Sequence, residues 1–577
     1  MKTTKKTTDT KPVKRKSPKK TASSSGVSSV PVSLEKDSAA PSANPDLSNP
    51  IYQHSTQLLV VALILAWLFD FLFWKNSVGV NFPIFLVACL VGGGYWLLAN
   101  DIRPARNSLW LLIPFLFFAV FSFLRQEPLT IFLVFVFALV TFGLFASTYI
   151  GGKWIRYGLG DYLQKTLFLI GDMISASLIY FPKARRVQDE LGADKGGIPI
   201  WGLLRGLLFA LPILICFGSL LAAGDLVFKE RLGDFLDLDN FSENVFRGIL
   251  ILFYAYVLAG VLIHAALKSK DEHLAGEVKS FVKPFLGFAE SAVILGSVSI
   301  LFLGFVIVQF QYFFGGETNI GVEGYTYSQY ARRGFNELVT VAFFSLVLIF
   351  GLSSITRRES EVQRRAYSIL SVILAIFVLI ILVSAYQRIS LAIDWHGFSR
   401  LRLYPRIFLI WLGLLFVTIV FLEFVRKESY FAFAAVLAST GFVVSLALVN
   451  IDAAIIKRNV PRVLQGKNLN VAHLASLSSD AVPALADEFY SSSYPDWAHE
   501  GIGAALTCYL HFDKYEESYS DWRSFNLSRW QAHVALQGVE KHLQDYSVND
   551  QKPWNVRVKT PGGEWYECRY YSNAEER

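Results

Sequence analysis

Ionisable side chains inside stretches that otherwise read as lipid-facing are where chemistry would be expected. Between Gly287 and Val339, GFAESAVILGSVSILFLGFVIVQF leads through QYFFGG and a polar loop to YARRGFNELV. This places Glu290, Gln309, Arg332, Arg333 and Glu337 in or beside the membrane, where unpaired charge is costly and usually functional. On one helix rising about 1.5 Å per residue, Glu290 and Gln309 lie roughly 28 Å apart. They cannot serve one site, so Glu290 belongs near the inner face and Gln309 near the outer.

Further candidates close or open other apolar runs. Asp70 ends the first, Asp225 stands in AAGDLVF, Asp394, His396, Arg400, Arg402 and Tyr404 fall within IDWHGFSRLRLY, and Asp452 and Arg458 within NIDAAIIKRN. Alternating inner and outer loops gather these on the outer side with Gln309, Tyr312, Arg332, Arg333 and Glu337. The planar Arg fork suits carboxylate or phosphate, and neighbouring carboxylates can act as bases or as counter-ions. The functional reading is an outward-facing charged pocket for an anionic or lipid-linked ligand. The competing reading is a ring of salt bridges and caps that fixes the span ends. Asp394 and His396 supply two donors, short of a metal site, and no HExxH-type helix, phosphate loop or nucleophile elbow is present. Neither metal nor cofactor is expected. The aspartates of LSSDAVPAL and DWRSFNLSR read as a helix cap beside Pro483, from Ser478 or Asp480, and as an Asp521–Arg523 surface pair.

The elements that must position these groups are membrane helices. Of 577 residues, 53% are hydrophobic and only 18% charged, against about 25% charged in ordinary soluble domains. The expected fold class is an all-α polytopic membrane protein. It has about eleven transmembrane helices, near 56–75, 82–99, 108–124, 128–150, 201–224, 245–267, 285–313, 334–356, 366–387, 404–425 and 430–450. Segment 161–181 carries Lys165 and Asp172, and its apolar residues recur at helical spacing, which reads as an interfacial amphipathic helix. In the stretch after Phe288, the small residues Ala289, Ala292, Gly296 and Ser299 share a face suited to close helix packing.

Residues 1–50 are polar and basic and read as a disordered tail. No cleavage site follows its charges, so a signal peptide is not expected. The tail holds much of the +7 net charge, between Lys2 and Lys20, which points to anionic lipid rather than nucleic acid. Loops rich in Lys and Arg, such as those holding Arg357, Arg358, Arg364 and Arg365, place the N-terminus in the cytoplasm and the C-terminus outside. Residues 451–577 form a polar, mainly helical appendage ending in a hairpin signal, WNVRVKT-PGG-EWYECRYY. Cys508 and Cys568 can pair there if it is exported, whereas Cys89 and Cys216 sit in apolar runs.

AAGDLVF, FAESAVILGSVSILFLGFVIVQFQYFFGG, YARRGFNELV, GFSRLRLYPRIFLIWLGLLF, NIDAAIIKRN, LSSDAVPAL and DWRSFNLSR together resemble the motif series of a bacterial membrane family, domain of unknown function 4173. The resemblance implies a multi-pass protein of the bacterial inner membrane and no particular activity. Three functional classes stay open: a membrane sensor or scaffold with an outward-facing charged pocket, a transporter for a small or anionic solute, and an enzyme acting on envelope lipid-linked substrates. The many spans and intramembrane carboxylates suit a transporter, but no internal repeat or matched pair of broken helices accompanies them. The absence of a nucleophile motif disfavours the enzyme, leaving the sensor or scaffold ahead.

Overall fold

The computed structural model describes residues 50–190, 238–270, 284–314, 335–515, 521–550 and 556–568, with scattered positions between 210 and 228. Among them, ten helices are long and apolar enough to cross a membrane. They are α1 (Ser55–Phe73), α2 (Asn81–Ala99), α4 (Pro128–Ser147), α5 (Leu159–Glu190), α6 (Leu238–Leu267), α7 (Phe288–Phe314), α8 (Phe335–Ile355), α9 (Glu361–His396), α10 (Arg400–Phe424) and α11 (Phe431–Val449). A shorter apolar helix, α3 (Leu112–Phe121), follows a 3-10 turn from Ser108 and occupies the expected 108–124 span. The expected span 201–224 falls mostly outside the described residues, as do residues 1–49, Arg332 and Arg333.

Composition explains why these are membrane elements. In α1 Leu58 and Ala62 are fully buried while Ile64 and Trp67 are more than half exposed. Such outward apolar surface is a liability in water but ordinary against lipid, where a helix satisfies its own backbone polar groups. The fold class read from the sequence is the one observed.

Local signals set the helix ends. Glu127 caps α4, accepting from Leu129 and Thr130 N–H at 3.0 and 2.7 Å, with Pro128 in the first turn. Ser360 caps α9 through Gln363 N–H. Gly397 has φ +83°, and a Cβ there would lie 2.8 Å from Asn459 Oδ1, so glycine lets α9 stop and α10 start within a few residues. Of the small-residue face expected on α7, Ser299 is buried but Ala289, Ala292 and Gly296 are not. A Cβ on Gly296 would meet nothing within 4 Å, and the buried stripe is Ser291, Leu295, Ser299, Phe302 and Val306. Bulkier residues of α7 already fill the space against α9, so the glycine gives no close approach.

Antiparallel packing defines two ends of the bundle. Trp74 and Lys75, after α1, reach Glu243 near the start of α6, and Arg247 forks onto Asp70. The start of α1 and the end of α6 therefore share the opposite end. There α5 has an unusual course. Near its start Lys165 donates to the carbonyls of Ser147 and Lys270, and near its end Gln188 donates to Tyr52 and Gln53 carbonyls and to Ser55 Oγ. Both extremities meet the same end of the bundle, and between them α5 crosses α6 at Gly260, where a Cβ would lie 2.8 Å from the Asp172 carbonyl oxygen.

On the other end sits the C-terminal unit: α12 (Ile451–Asn459), α13 (Val482–Phe489), α14 (Asp496–Tyr515), α15 (Leu527–Val539) and a three-stranded antiparallel sheet. β1 (Ser547–Asn549) pairs with β2 (Arg557–Lys559) at Val548↔Val558, and β2 with β3 (Trp565–Glu567) at Val558↔Tyr566. The expected hairpin is β2–β3, turning through Gly563 at φ +94°; β1 adds a strand the alternation did not signal. A disulfide joins buried Cys508 on α14 to Cys568 after β3. The core of this unit, with Ile455, Leu485, Ile502 and Val539, runs on into Leu403 and Leu446 of the bundle.

Candidate functional site

The densest polar cluster lies where the C-terminal unit meets the helices. Asp452 is the second residue of α12, which follows α11 after Asn450, a left-handed residue at φ +48° whose side chain caps α12 through Ala453 N–H. The break turns Asp452 inward, where it is fully buried. Its Oδ1 accepts from Arg400 Nε at 2.8 Å, and its Oδ2 from an Arg400 terminal nitrogen at 2.5 Å, from Ser478 N–H at 2.8 Å and from Ser478 Oγ at 2.6 Å. The first turn of α10 also presents Tyr404, whose hydroxyl bonds Glu127 Oε1; that oxygen lies 4.0 Å from Arg400 Nε. Asp480, also buried, accepts at Oδ2 from the N–H groups of Gln126 and Glu127 at 2.8 and 2.9 Å. One guanidinium and three buried carboxylates thus tie α4, α10, α12 and the 478–480 turn together.

Burial pushes the Asp480 carboxyl above the ordinary carboxylate range, and the Gln126 N–H and Ser528 side chain only partly oppose it. His473 is held below the usual imidazole value by burial and then by the positive charge of Arg400, and its buried Nε2 has no hydrogen-bond partner. The Asp452–Arg400 pair is thus flanked by an imidazole held toward its neutral form and a carboxyl that resists ionisation.

The other sequence candidates distribute as follows. Asp70 is buried and pairs with half-exposed Arg247 at 2.6 Å. Gln309 accepts from Ser384 Oγ and Arg388 at 3.0 and 3.1 Å. Asp225 is exposed and accepts from Phe228 N–H. Glu290 is exposed at the start of α7, accepting from Gly287 N–H, and Glu337 is exposed in the first turn of α8. Asp394 and His396 are exposed at the end of α9, where the Asp394 carbonyl accepts from Arg462. Arg402 donates to the Gly397 carbonyl, and Arg458 stacks 5.2 Å over Phe398. Of the candidates, Arg400, Tyr404 and Asp452 converge, and Asp70, Gln309, Asp225, Glu290, Glu337, Asp394 and His396 lie apart from them. Among the described residues no group of three His, Cys, Asp or Glu could hold a metal.

Sequence reasoning passed over Glu127, Ser478, Asp480 and His473 as site members. Glu127-Pro128 at the mouth of an apolar run is a legible cap, but its second role toward Tyr404 depends on tertiary approach. Neither Ser478 nor Asp480 caps a helix with its side chain, because Asp480 is engaged by main-chain donors of the bundle. A second cluster also went unread: Asp172 on α5 bonds His264 Nδ1 at 2.7 Å and Lys268 at 2.6 Å, with His264 almost wholly buried.

Residues 112–488, well over half of the chain, match a family described only as a domain of unknown function, 4153. The chain belongs to that family. The match is not to the 4173 family that the motif series resembles. Short apolar and aromatic motifs are dictated by membrane burial and do not separate uncharacterised families of multi-pass proteins. Every member of the Arg400–Asp452 cluster falls within the 4153 region, whereas α14, α15 and the sheet fall beyond it. No curated protein and no solved structure matches the chain.

Proposed function

We propose that this family 4153 protein is a membrane sensor or scaffold whose extracytoplasmic C-terminal unit is held to the transmembrane helices by a buried ionic latch. One observation carries the reading: fully buried Asp452 receives the Arg400 fork from α10 and both donors of Ser478. A carboxylate engaged on four sides by the protein's own groups is suited to coupling two parts rather than to binding solute. Two features support an outside position for the unit. Its disulfide belongs to an oxidising compartment, and Arg357, Arg358, Arg364, Arg365, Arg426 and Lys427 stand at the opposite end of the bundle, as cytoplasmic loops require. On the same reading α5 lies along the cytoplasmic face, and the Lys2–Lys20 tail meets anionic lipid there.

The test is complementation of cells lacking the protein by wild type and by Asp452→Asn, with membrane abundance and labelling of the C-terminus by an impermeant reagent measured together. Loss of phenotype at unchanged abundance, with outside labelling, is the expected result. Full complementation by Asp452→Asn, or labelling only from the cytoplasmic side, would contradict the reading. The Asp172–His264–Lys268 cluster favours a second reading, proton-coupled transport. Proteoliposomes that pass protons in wild type but not in Asp172→Asn would establish it.

A further inference from the structure

Segment 521–527 clasps the ends of three membrane helices. Arg523 donates to the Phe71 carbonyl at 2.5 Å, with its guanidinium 5.0 Å over the Phe71 ring. The Phe525 carbonyl accepts from Val80 N–H at 2.8 Å, and Leu527 N–H donates to the Phe123 carbonyl at 2.8 Å. A Cβ on Gly79 would lie 2.5 Å from the Phe525 carbonyl oxygen, so only glycine admits this approach. The segment is therefore fixed at the level where α1 ends and α2 begins.

At that level it carries outward aromatic surface. Trp522 is 58% exposed and Phe525 39%. Arg523, between them in sequence, lies over Phe71 of α1, whose ring stacks on exposed Trp67 at 5.8 Å, and the Phe525 carbonyl bonds Val80, two residues after exposed Val78 of the α1–α2 loop. The Trp67–Phe71 strip of α1 is lipid-facing by the argument that identifies α1 as a span. Trp is the side chain that settles at the headgroup level, and the neighbouring Arg523 guanidinium lies over Phe71 in the last turn of α1, where the span ends.

We infer that the Trp522–Phe525 edge of the C-terminal unit is a membrane-contact surface, seated in the headgroup region of the leaflet that covers the end of α1 and the start of α2. The occupant is phospholipid, recognised through the aromatic rings rather than through headgroup charge, because Arg523 is already engaged by Asp521 and Phe71. The unit thereby grips the bilayer as well as the helices. This inference does not depend on which side of the membrane the unit occupies.

The test uses the full chain in phosphatidylcholine nanodiscs with a nitroxide on Trp522→Cys in a background carrying Cys89→Ala and Cys216→Ala, which leaves the Cys508–Cys568 disulfide in place. The control label is on Glu564→Cys, at the β2–β3 turn, which packs on α14 and β2 rather than on the bundle. The ratio of oxygen to nickel-chelate accessibility should be several-fold higher at 522 than at 564. Equal, water-like ratios would overturn the inference. If the Trp522→Cys protein is not monodisperse, brominated phosphatidylcholine replaces the label, and Trp522→Phe should then lower the quenchable share of tryptophan fluorescence. An unchanged quenchable share would equally overturn it.

Discussion

Asp452→Ala isolates the latch. The substitution strips Arg400 of its bidentate partner and Ser478 of its acceptor at a site with no exposure on Asp452 and only 15% on the Arg400 side chain. Removing one member of a buried ion pair costs about 3–5 kcal/mol. The lower end applies here, because Glu127 Oε1 remains 4.0 Å from the guanidinium and can shift toward it. At about 1.4 kcal/mol per factor of ten, a 3 kcal/mol loss raises the local opening equilibrium by roughly 100-fold. Hydrogen exchange in nanodiscs reads this at the amide of Ser478, which donates to Asp452, and across peptides covering 471–489. Exchange there should accelerate toward that factor while α1 and α2 keep their protection. Arg400→Met with Asp452→Leu replaces the pair by apolar side chains of similar bulk and should recover most of the loss, since such replacements are often near neutral. Additive losses in the double variant, or acceleration below about threefold in Asp452→Ala, would refute a buried pair coupling the unit to the bundle.

The titration of the neighbouring groups gives further expectations. His473 is held below its ordinary value, so the docked state prefers neutral imidazole. Stability contributed at high pH is lost as pH falls below about 6.5 toward the docked-state value. His473→Gln should flatten that acid limb in thermal unfolding. The Asp480 carboxyl is raised, so ionisation penalises the docked state above its ordinary value. Asp480→Asn, which keeps an acceptor for Gln126 and Glu127, should be neutral or stabilising at pH 7, opposite in sign to Asp452→Ala. Cys508→Ser opens a crosslink spanning a separation of 60 residues, worth about 4 kcal/mol by loop-closure entropy. Proteolysis should then cut β3 free while α1 to α11 stay intact. Arg247→Ala strips Asp70, whose side chain is only 4% exposed, of its partner, and because Arg247 itself keeps 34% exposure the cost should fall between about 1 kcal/mol for a surface pair and about 3 kcal/mol for a buried one in the same unfolding assay.

The transmembrane framework was legible because apolar run length is a direct physical requirement for crossing hydrocarbon, and the runs at 56–75, 82–99 and 430–450 coincide with α1, α2 and α11 to within a few residues. The candidate site was only half legible. Arg400, Tyr404 and Asp452 announce themselves as charge or hydroxyl next to lipid. Glu127 and Asp480, which complete the cluster, look like ordinary cap residues, and their convergence depends on the packing of α4 against the 478–480 turn, across more than 350 residues of chain. Asp70 shows the converse: its partner Arg247 lies far along the sequence, so one-dimensional reading grouped it with a shared outer face instead of a private pair. The α5 segment illustrates a third limit. Lys165, Asp172 and the helical spacing of its apolar residues read as an interfacial helix over 161–181, but length and hydropathy alone also qualify it as a span, and the contacts of Lys165 and Gln188, which bring its two extremities to the same end of the bundle, depend on residues far along the chain.

The measurement that bears most directly on the latch is a cryo-electron microscopy map of the full chain in lipid nanodiscs, with side chains resolved around Asp452. The account predicts continuous density from the Arg400 guanidinium to both Asp452 oxygens, with Ser478 against the second and no solvent channel reaching them. A water-filled cavity opening to the surface between Arg400 and Asp452, with the two groups apart, would contradict it.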